Sequence, residues 1–179
     1  MWIGLVGSEM CIRDSITGLT KLGIEKVPPM VTRGVLFDMT KILGVEYLKA
    51  GQTFSVKELK LAEKKQGVKV KKGDVVLFHT GWTDAMLEKF PEKWGAEIPG
   101  LTPELAQYLA DAEVIAVGSD TYGLDVIPPV NPMEPFQGHV ILLKENGIYI
   151  LEAMNTGPLA RDETFEFLFV LGQAKVRGA

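Results

Sequence analysis

Residues 73–82 read GDVVLFHTGW, and the reading of the fold starts there. A Gly-Asp turn opens the stretch, and the short apolar run from Val75 to Phe78 is the pattern of a buried strand. His79 closes the run, and Thr80, Gly81 and Trp82 leave it as a loop.

The sequence on either side alternates strand and helix signals. Residues 16–30 are loop-like and end at Pro28-Pro29, and residues 31–39 predict a strand leading to a turn near Gly44. Ser55 with Glu58 three positions on is a capping box, and the helix it starts carries Leu59, Leu61 and Ala62 on one side before Gly67 stops it. Thr102-Pro103-Glu104 supplies an N-cap, a first-turn proline and an acidic first turn for a second helix over residues 105–112. Residues 114–117 predict the next strand, which ends in Gly118-Ser119-Asp120-Thr121. Further on, residues 136–145 predict a helix stopped near Gly147, and residues 148–154 and 165–170 predict two more strands. Strands interleaved with helices argue for an α/β or α+β domain with a mixed β-sheet flanked by helices. The loops after the strands, residues 80–82 and 118–121, are where such a sheet places ligand contacts.

Composition narrows the function classes. The chain has 179 residues, 46% of them hydrophobic, with 10 Pro and 19 Gly, which suits one globular domain. Its 23 carboxylates outweigh 19 Lys and Arg, so no positive field draws in nucleic acid or an anionic membrane surface. The lysines at 64, 65, 69, 71 and 72 carry no interleaved aromatic residues and read as a solvated face. No apolar stretch approaches the roughly 20 residues needed to cross a bilayer. Cys11 is the single cysteine, which fits a reducing, cytoplasmic compartment. The partner expected from these features is a small-molecule substrate.

Residues 5–15, LVGSEMCIRDS, have no helical or strand period, and the start lacks the basic flank and apolar core of a signal peptide. The string resembles the conceptual translation of a transposon-based sequencing adapter. Residues 1–15 are therefore expected to be a non-native tail, with Cys11 part of it, and residues 16–179 a single partial domain.

Chemistry is bounded by two histidines, His79 and His139. His139 lies at the start of a predicted helix. Thirteen positions on, Glu152 interrupts the apolar run of residues 148–151, and strand alternation sets its carboxylate on the face of Ile148 and Ile150, where an unpaired charge is costly. A metal ion, an Arg or Lys, or protonation could compensate it, and the pair alone does not choose. A hydrolytic metal takes about three protein ligands plus a water, which two residues do not supply. His79 at a strand end reads as packed or capped. Trp82 could form a pocket wall, Asp120 and Thr121 could line a site or simply make a turn, and Arg33 could pair with a carboxylate. No G-x-S-x-G elbow, phosphate-binding Gly-rich loop or C-x-x-C pair is present, so serine hydrolase, nucleotide-dependent and zinc-finger readings lack their minimum parts.

Several blocks in order, GLTKLGIEKVPPMVTRGVLFDM, GDVVLFHTGW, VGSDTYGLDV, His139 followed by GIYILE with Glu152, FEFLFVL and KVRGA, resemble the cyclase family, which includes kynurenine formamidases and isatin hydrolases. The resemblance implies a swivelling β/β/α-type fold, incomplete here at both ends. It implies a metal-dependent hydrolase of carbon-nitrogen bonds other than peptide bonds, of the arylformamidase type that converts N-formylkynurenine to kynurenine. A divalent metal, Zn or Mn, is the implied cofactor, with His139 and Glu152 as metal ligands and catalytic residues and Trp82, Asp120 and Thr121 toward substrate. The family's upstream H-x-G-T-H-x-D-like motif is absent, so the fragment itself is expected to be inactive. A homo-oligomer is the implied assembly for the complete protein. The alternative is a non-catalytic homologue that binds a ligand or serves assembly.

Overall fold

A computed structural model describes residues 23–175; the adapter-like stretch and the last four residues lie outside them. The described residues divide into two compact units, 23–32 with 168–175 and 33–167.

In the first unit a 3-10 turn, Ile24–Lys26, is closed by the Val27 amide on the Ile24 carbonyl at 3.2 Å. The Val27 carbonyl in turn accepts from the side chains of Gln173 and Lys175. By residue range, strand β1, Met30–Asp38, starts in the first unit and ends in the second, and strand β7, Glu166–Leu171, starts in the second and ends in the first.

The second unit holds helix α1 (Met39–Leu43), strand β2 (Thr53–Phe54), helix α2 (Val56–Gln66), strand β3 (Val75–His79) and helices α3 (Trp82–Met86) and α4 (Pro91–Trp94). Strand β4 (Gly100–Leu101), helix α5 (Pro103–Asp111) and strand β5 (Ala116–Ser119) follow. Helix α6 (Gln137–His139) runs into a π-helical stretch, Val140–Glu145, and strand β6 (Tyr149–Leu151) and helix α7 (Gly157–Arg161) complete the unit.

Local chemistry sets the helix ends. Asp38 accepts from the Thr40 and Lys41 amides to start α1, and Gly44 ends it in the left-handed region. The Ser55–Glu58 capping box forms in both directions, and Gly67 with φ 71° stops α2. Thr102 accepts from the Leu105 amide ahead of α5. Leu59 and Ala62 of α2 and Leu105, Ala106 and Leu109 of α5 then pack with Val35, Phe37, Val76, Phe78 and Val117 of the sheet into one apolar core. Arg33 forms a bidentate pair with the buried Asp74 and a further bond to Glu166 at 2.8 Å, the carboxylate pairing that its sequence context allowed.

The sheet order is β6-β5-β3-β1-β7, and β1–β3, β3–β5 and β5–β6 are all parallel. The α/β architecture expected from the sequence is present, with a sheet that is mostly parallel. A second, two-stranded parallel sheet pairs β2 with β4. In the main sheet Asp38 sits opposite His79, Phe78 opposite Ser119, and Gly118 opposite Leu151. The carboxyl ends of four strands are thus level, and the polar residues that follow them converge where open parallel sheets bind ligands.

Some expectations shift. The strand placed at 114–117 lies at Ala116–Ser119, and the helix over 136–145 is mostly π-helical. The strand placed at 148–154 stops at Leu151, which leaves Glu152 just past the strand end instead of inside it. The short elements β2, β4, α3, α4 and α7 carry too few residues for a periodic signal.

Gly118 is required where β5 meets β6, because a Cβ there would stand 2.5 Å from the Leu151 carbonyl oxygen. Gly118→Ala is expected to push β6 away and lower the unfolding free energy by about 1–3 kcal/mol, read from the denaturant midpoint; an unchanged midpoint refutes this packing.

Candidate functional site

Two polar clusters occupy the level strand ends. The first follows β3 and β5. Asp120 is 2% exposed, and its carboxylate accepts from the Thr80 amide at 2.8 Å, the Thr80 hydroxyl at 2.7 Å and the Thr83 amide at 3.3 Å. Burial raises its pKa, opposed by the nearby His79 and by the Thr80 and Thr83 bonds. Thr83 donates its hydroxyl to the Asp120 carbonyl and accepts from the Trp94 indole at 2.8 Å. Thr121 is bound to Ser119 and to the Gly123 carbonyl. His79 is packed, as its position suggested, with Nδ1 at 2.8 Å from the Thr156 hydroxyl.

Trp82, Asp120 and Thr121, the residues read toward substrate, are 3%, 2% and 1% exposed. They stand together as buried supports of the α3–α4 segment and the loop after β5, with their polar atoms engaged inside the protein.

The second cluster is built on α6. Asp125, 6% exposed, accepts from the Gly138 amide at 2.7 Å and the His139 amide at 3.0 Å, and it meets His139 Nδ1 at 2.5 Å. On the opposite edge of the imidazole, Nε2 lies 3.3 Å from Glu152 Oε1. Gly138 is tightly constrained, since a Cβ there would be 2.6 Å from Asp125 Oδ1. Phe136, at φ 59°, turns the chain into α6 and sets its ring edge-on to the imidazole at 5.9 Å.

His139 and Glu152 are therefore brought together, and the charge of Glu152 is met by the imidazole itself, a compensation that the sequence reading had not weighed. The Glu152 side chain is 27% exposed, because it follows the strand and escapes the interior face expected for it.

Burial works against a charged His139, but hydrogen bonds to Asp125 and Glu152 and the charges of both carboxylates outweigh it, and its pKa rises to about 9. Asp125 favours a proton on Nδ1, which leaves Nε2 as the atom that can give a lone pair to a cation. The separation of Nε2 from the Glu152 oxygen matches two donors sharing one ion at about 2.0–2.2 Å each. The pair fits part of a metal site: among the described residues no three His, Cys, Asp or Glu side chains are grouped to hold an ion.

A cavity of about 350 Å³ opens beside Asp125 and Phe136, with Leu101, Val126, Pro129 and Glu104 among its walls. Asp125 has no signal in the sequence, because a carboxylate fourteen positions ahead of His139 gives no local pattern. Tyr122 and Phe136 give none either. The only available signal was their adjacency to the loop after β5 and to His139.

The family model described as "Putative cyclase" matches residues 13–126. That span overlaps the last three residues of the adapter-like stretch and stops short of His139 and Glu152. A crystal structure of a novel cyclase is similar over 96% of this chain and 57% of its own, at 27% identity and TM-score 0.81. Isatin hydrolase A from Ralstonia solanacearum shares 22% identity over 73% of this chain and 50% of its own, at TM-score 0.59. A predicted metal-dependent hydrolase from Bacillus stearothermophilus shares 20% identity over 92% of this chain and 66% of its own, also at TM-score 0.59. The chain thus spans between half and two thirds of the length of these structures. No curated protein sequence matches it. Among the described residues no helix is long and apolar enough to cross a membrane.

The raised His139 value fixes a pH dependence. A folded pKa of about 9 against the ordinary 6.5 means that the charged pairing stabilises the fold in full below pH 6.5, and that this contribution is lost as pH rises through about 9. In metal-free protein the His139 ring resonances are expected to titrate near pH 9, and Asp125→Asn to bring the midpoint down; ring NMR, assigned with His79→Gln, checks both. A midpoint near 6.5 in the unsubstituted chain contradicts the pairing.

Proposed function

This chain belongs to the Cyclase family, and on that footing we propose that it forms part of a metal-dependent hydrolase acting on amide-like carbon-nitrogen bonds of small aromatic or cyclic substrates, of the arylformamidase type. The observation that carries this reading is the His139 imidazole held between Asp125 and Glu152, with Nε2 and a carboxylate oxygen 3.3 Å apart. A divalent metal, Zn or Mn, would supply a water of lowered pKa and polarise the substrate carbonyl. Isatin hydrolases and structures described as metal-dependent hydrolases share the fold, which supports the hydrolase class.

His139 and Glu152 are the residues that would hold the ion. Asp125 fixes the ring plane and the Nδ1 proton, so His139 presents Nε2 without a search over rotamers. Glu152, partly exposed at the strand end, can accept a hydrogen bond from the attacking water and so orient its oxygen toward the amide carbon. Hydrolysis then forms the carbon-oxygen bond, breaks the carbon-nitrogen bond and returns a proton to the departing amine. Asp120 contributes indirectly, by fixing Thr83 and through it Trp94, while Trp82 and Thr121 brace the same loops. A cytoplasmic homo-oligomer is the proposed setting. The second reading, a ligand-binding homologue without turnover, is favoured by the donor set of two among the described residues.

Two arms test this. Calorimetric titration of the chain with Zn or Mn is expected to show one ion bound, weakened about tenfold or more by His139→Ala or Glu152→Gln. In the product of the gene's full reading frame, N-formylkynurenine hydrolysis is expected to require the metal and to fall by about 100-fold or more in the same variants. A metal-loaded protein that binds aryl amides without cleaving them supports the second reading, and metal binding indifferent to His139 removes the first.

A further inference from the structure

We infer that Tyr122, backed by Trp94, is the wall that receives the aromatic part of the ligand beside Glu152 and sets a preference for aryl over aliphatic amides. The inference rests on the reading that small amides bind at the His139–Glu152 pair, and it deepens that reading by naming a specificity-determining residue.

The loop after β5 carries three consecutive polar residues with different fates. Asp120 and Thr121 turn inward and are consumed by hydrogen bonds of the fold, whereas Tyr122 is half-buried. Its place beside Glu152 follows from the backbone. The Ala153 amide donates to the Thr121 carbonyl at 2.7 Å and the Met154 amide to the Ser119 carbonyl at 3.0 Å, which ties the two residues after Glu152 to the segment that leads into Tyr122. Consistent with this, a Cβ on Gly123 would lie 3.9 Å from Glu152 Oε1.

The ring has a fixed aromatic neighbour. Trp94 packs on it with centroids 5.8 Å apart at 58°, and the Trp94 indole is pinned by Thr83, which the buried Asp120 fixes in turn. An aromatic pair fixed in this way presents a rigid apolar plane with little rotamer entropy to lose on binding. Burial, reinforced by the negative charge of Glu152, raises the Tyr122 pKa, so the phenol remains a hydrogen-bond donor at neutral pH. Among the described residues no partner takes that hydroxyl, which leaves it able to donate to a ligand acceptor such as an amide oxygen. Phe136, edge-on to His139, places a second aromatic ring on the imidazole.

The test is equilibrium binding of two probes to the full 179-residue chain, formanilide and its aliphatic counterpart N-cyclohexylformamide, with far-UV circular dichroism as a folding control. The unsubstituted chain is expected to prefer formanilide by about tenfold. Tyr122→Leu should reduce that preference to below about twofold, and Tyr122→Phe should keep it while weakening both probes a few-fold through loss of the hydroxyl. If Tyr122→Leu does not fold, Trp94→Leu takes its place, with the same loss of preference expected. An undiminished preference in the folded leucine variant, or no preference or no binding in the unsubstituted chain, overturns the inference. Binding preference is read without metal and without turnover, so a failure to hydrolyse either amide bears on the proposed function and leaves this outcome separate.

Discussion

One buried carboxylate organises the site. Asp125 meets two backbone amides and the imidazole of the α6 start, and in doing so it gains the donors that a charge in that position needs. The constraint is reciprocal. Gly138 must lack a side chain for the carboxylate to approach, Phe136 must take a left-handed conformation to deliver the amides, and the histidine ring is oriented as a consequence. Asp125 is itself held through its backbone, where Leu101 of the small sheet bonds the Leu124 carbonyl and pairs with Asp125. Gly100 permits this contact, since a Cβ there would fall 2.2 Å from the Val126 nitrogen. The small sheet thus does two things: Phe54 and Leu101 add buried side chains to the core, and Leu101 fixes the backbone from which the Asp125 carboxylate projects.

The parallel sheet does the complementary work. Level strand ends put Asp120 after β5 and Glu152 after β6 on adjacent strands, yet the two carboxylates do different things. Asp120 is closed in by donors from its own loops, and its burial disfavours charge; it serves rigidity. Glu152 keeps more than a quarter of its side chain in solvent and faces an imidazole nitrogen, so it remains available to a ligand. Position along the sheet is shared, and environment separates the roles.

What was legible in the sequence follows from how local each signal is. The capping box at Ser55, the Thr102-Pro103 helix start and the apolar run at Val75 are written in contiguous residues, and the structure has all three. His139 and Glu152 stood out because a polar residue beside an apolar run is visible without tertiary information. Asp125 was not legible, because its partners lie on a helix whose start depends on a left-handed Phe136 that no propensity favours. The loop after β5 reads as a place for ligand contacts, but its sequence does not show that Asp120 and Thr121 spend their polar atoms on hydrogen bonds of the fold while Tyr122 beside them packs on Trp94, because those partners come from other segments of the chain.

An imidazole flanked by carboxylates on both edges is a place where positive charge is stabilised. In the metal-free chain that charge is the second proton of His139, which burial alone would expel and which Asp125 and Glu152 retain. A divalent cation at Nε2 would satisfy the same two carboxylates with the ring neutral, and proton and cation exclude each other there because both need the same lone pair. The raised proton affinity and the proposed metal affinity are thus two expressions of one electrostatic arrangement. Asp125, which touches neither Nε2 nor Glu152, tunes both through the far nitrogen of the ring.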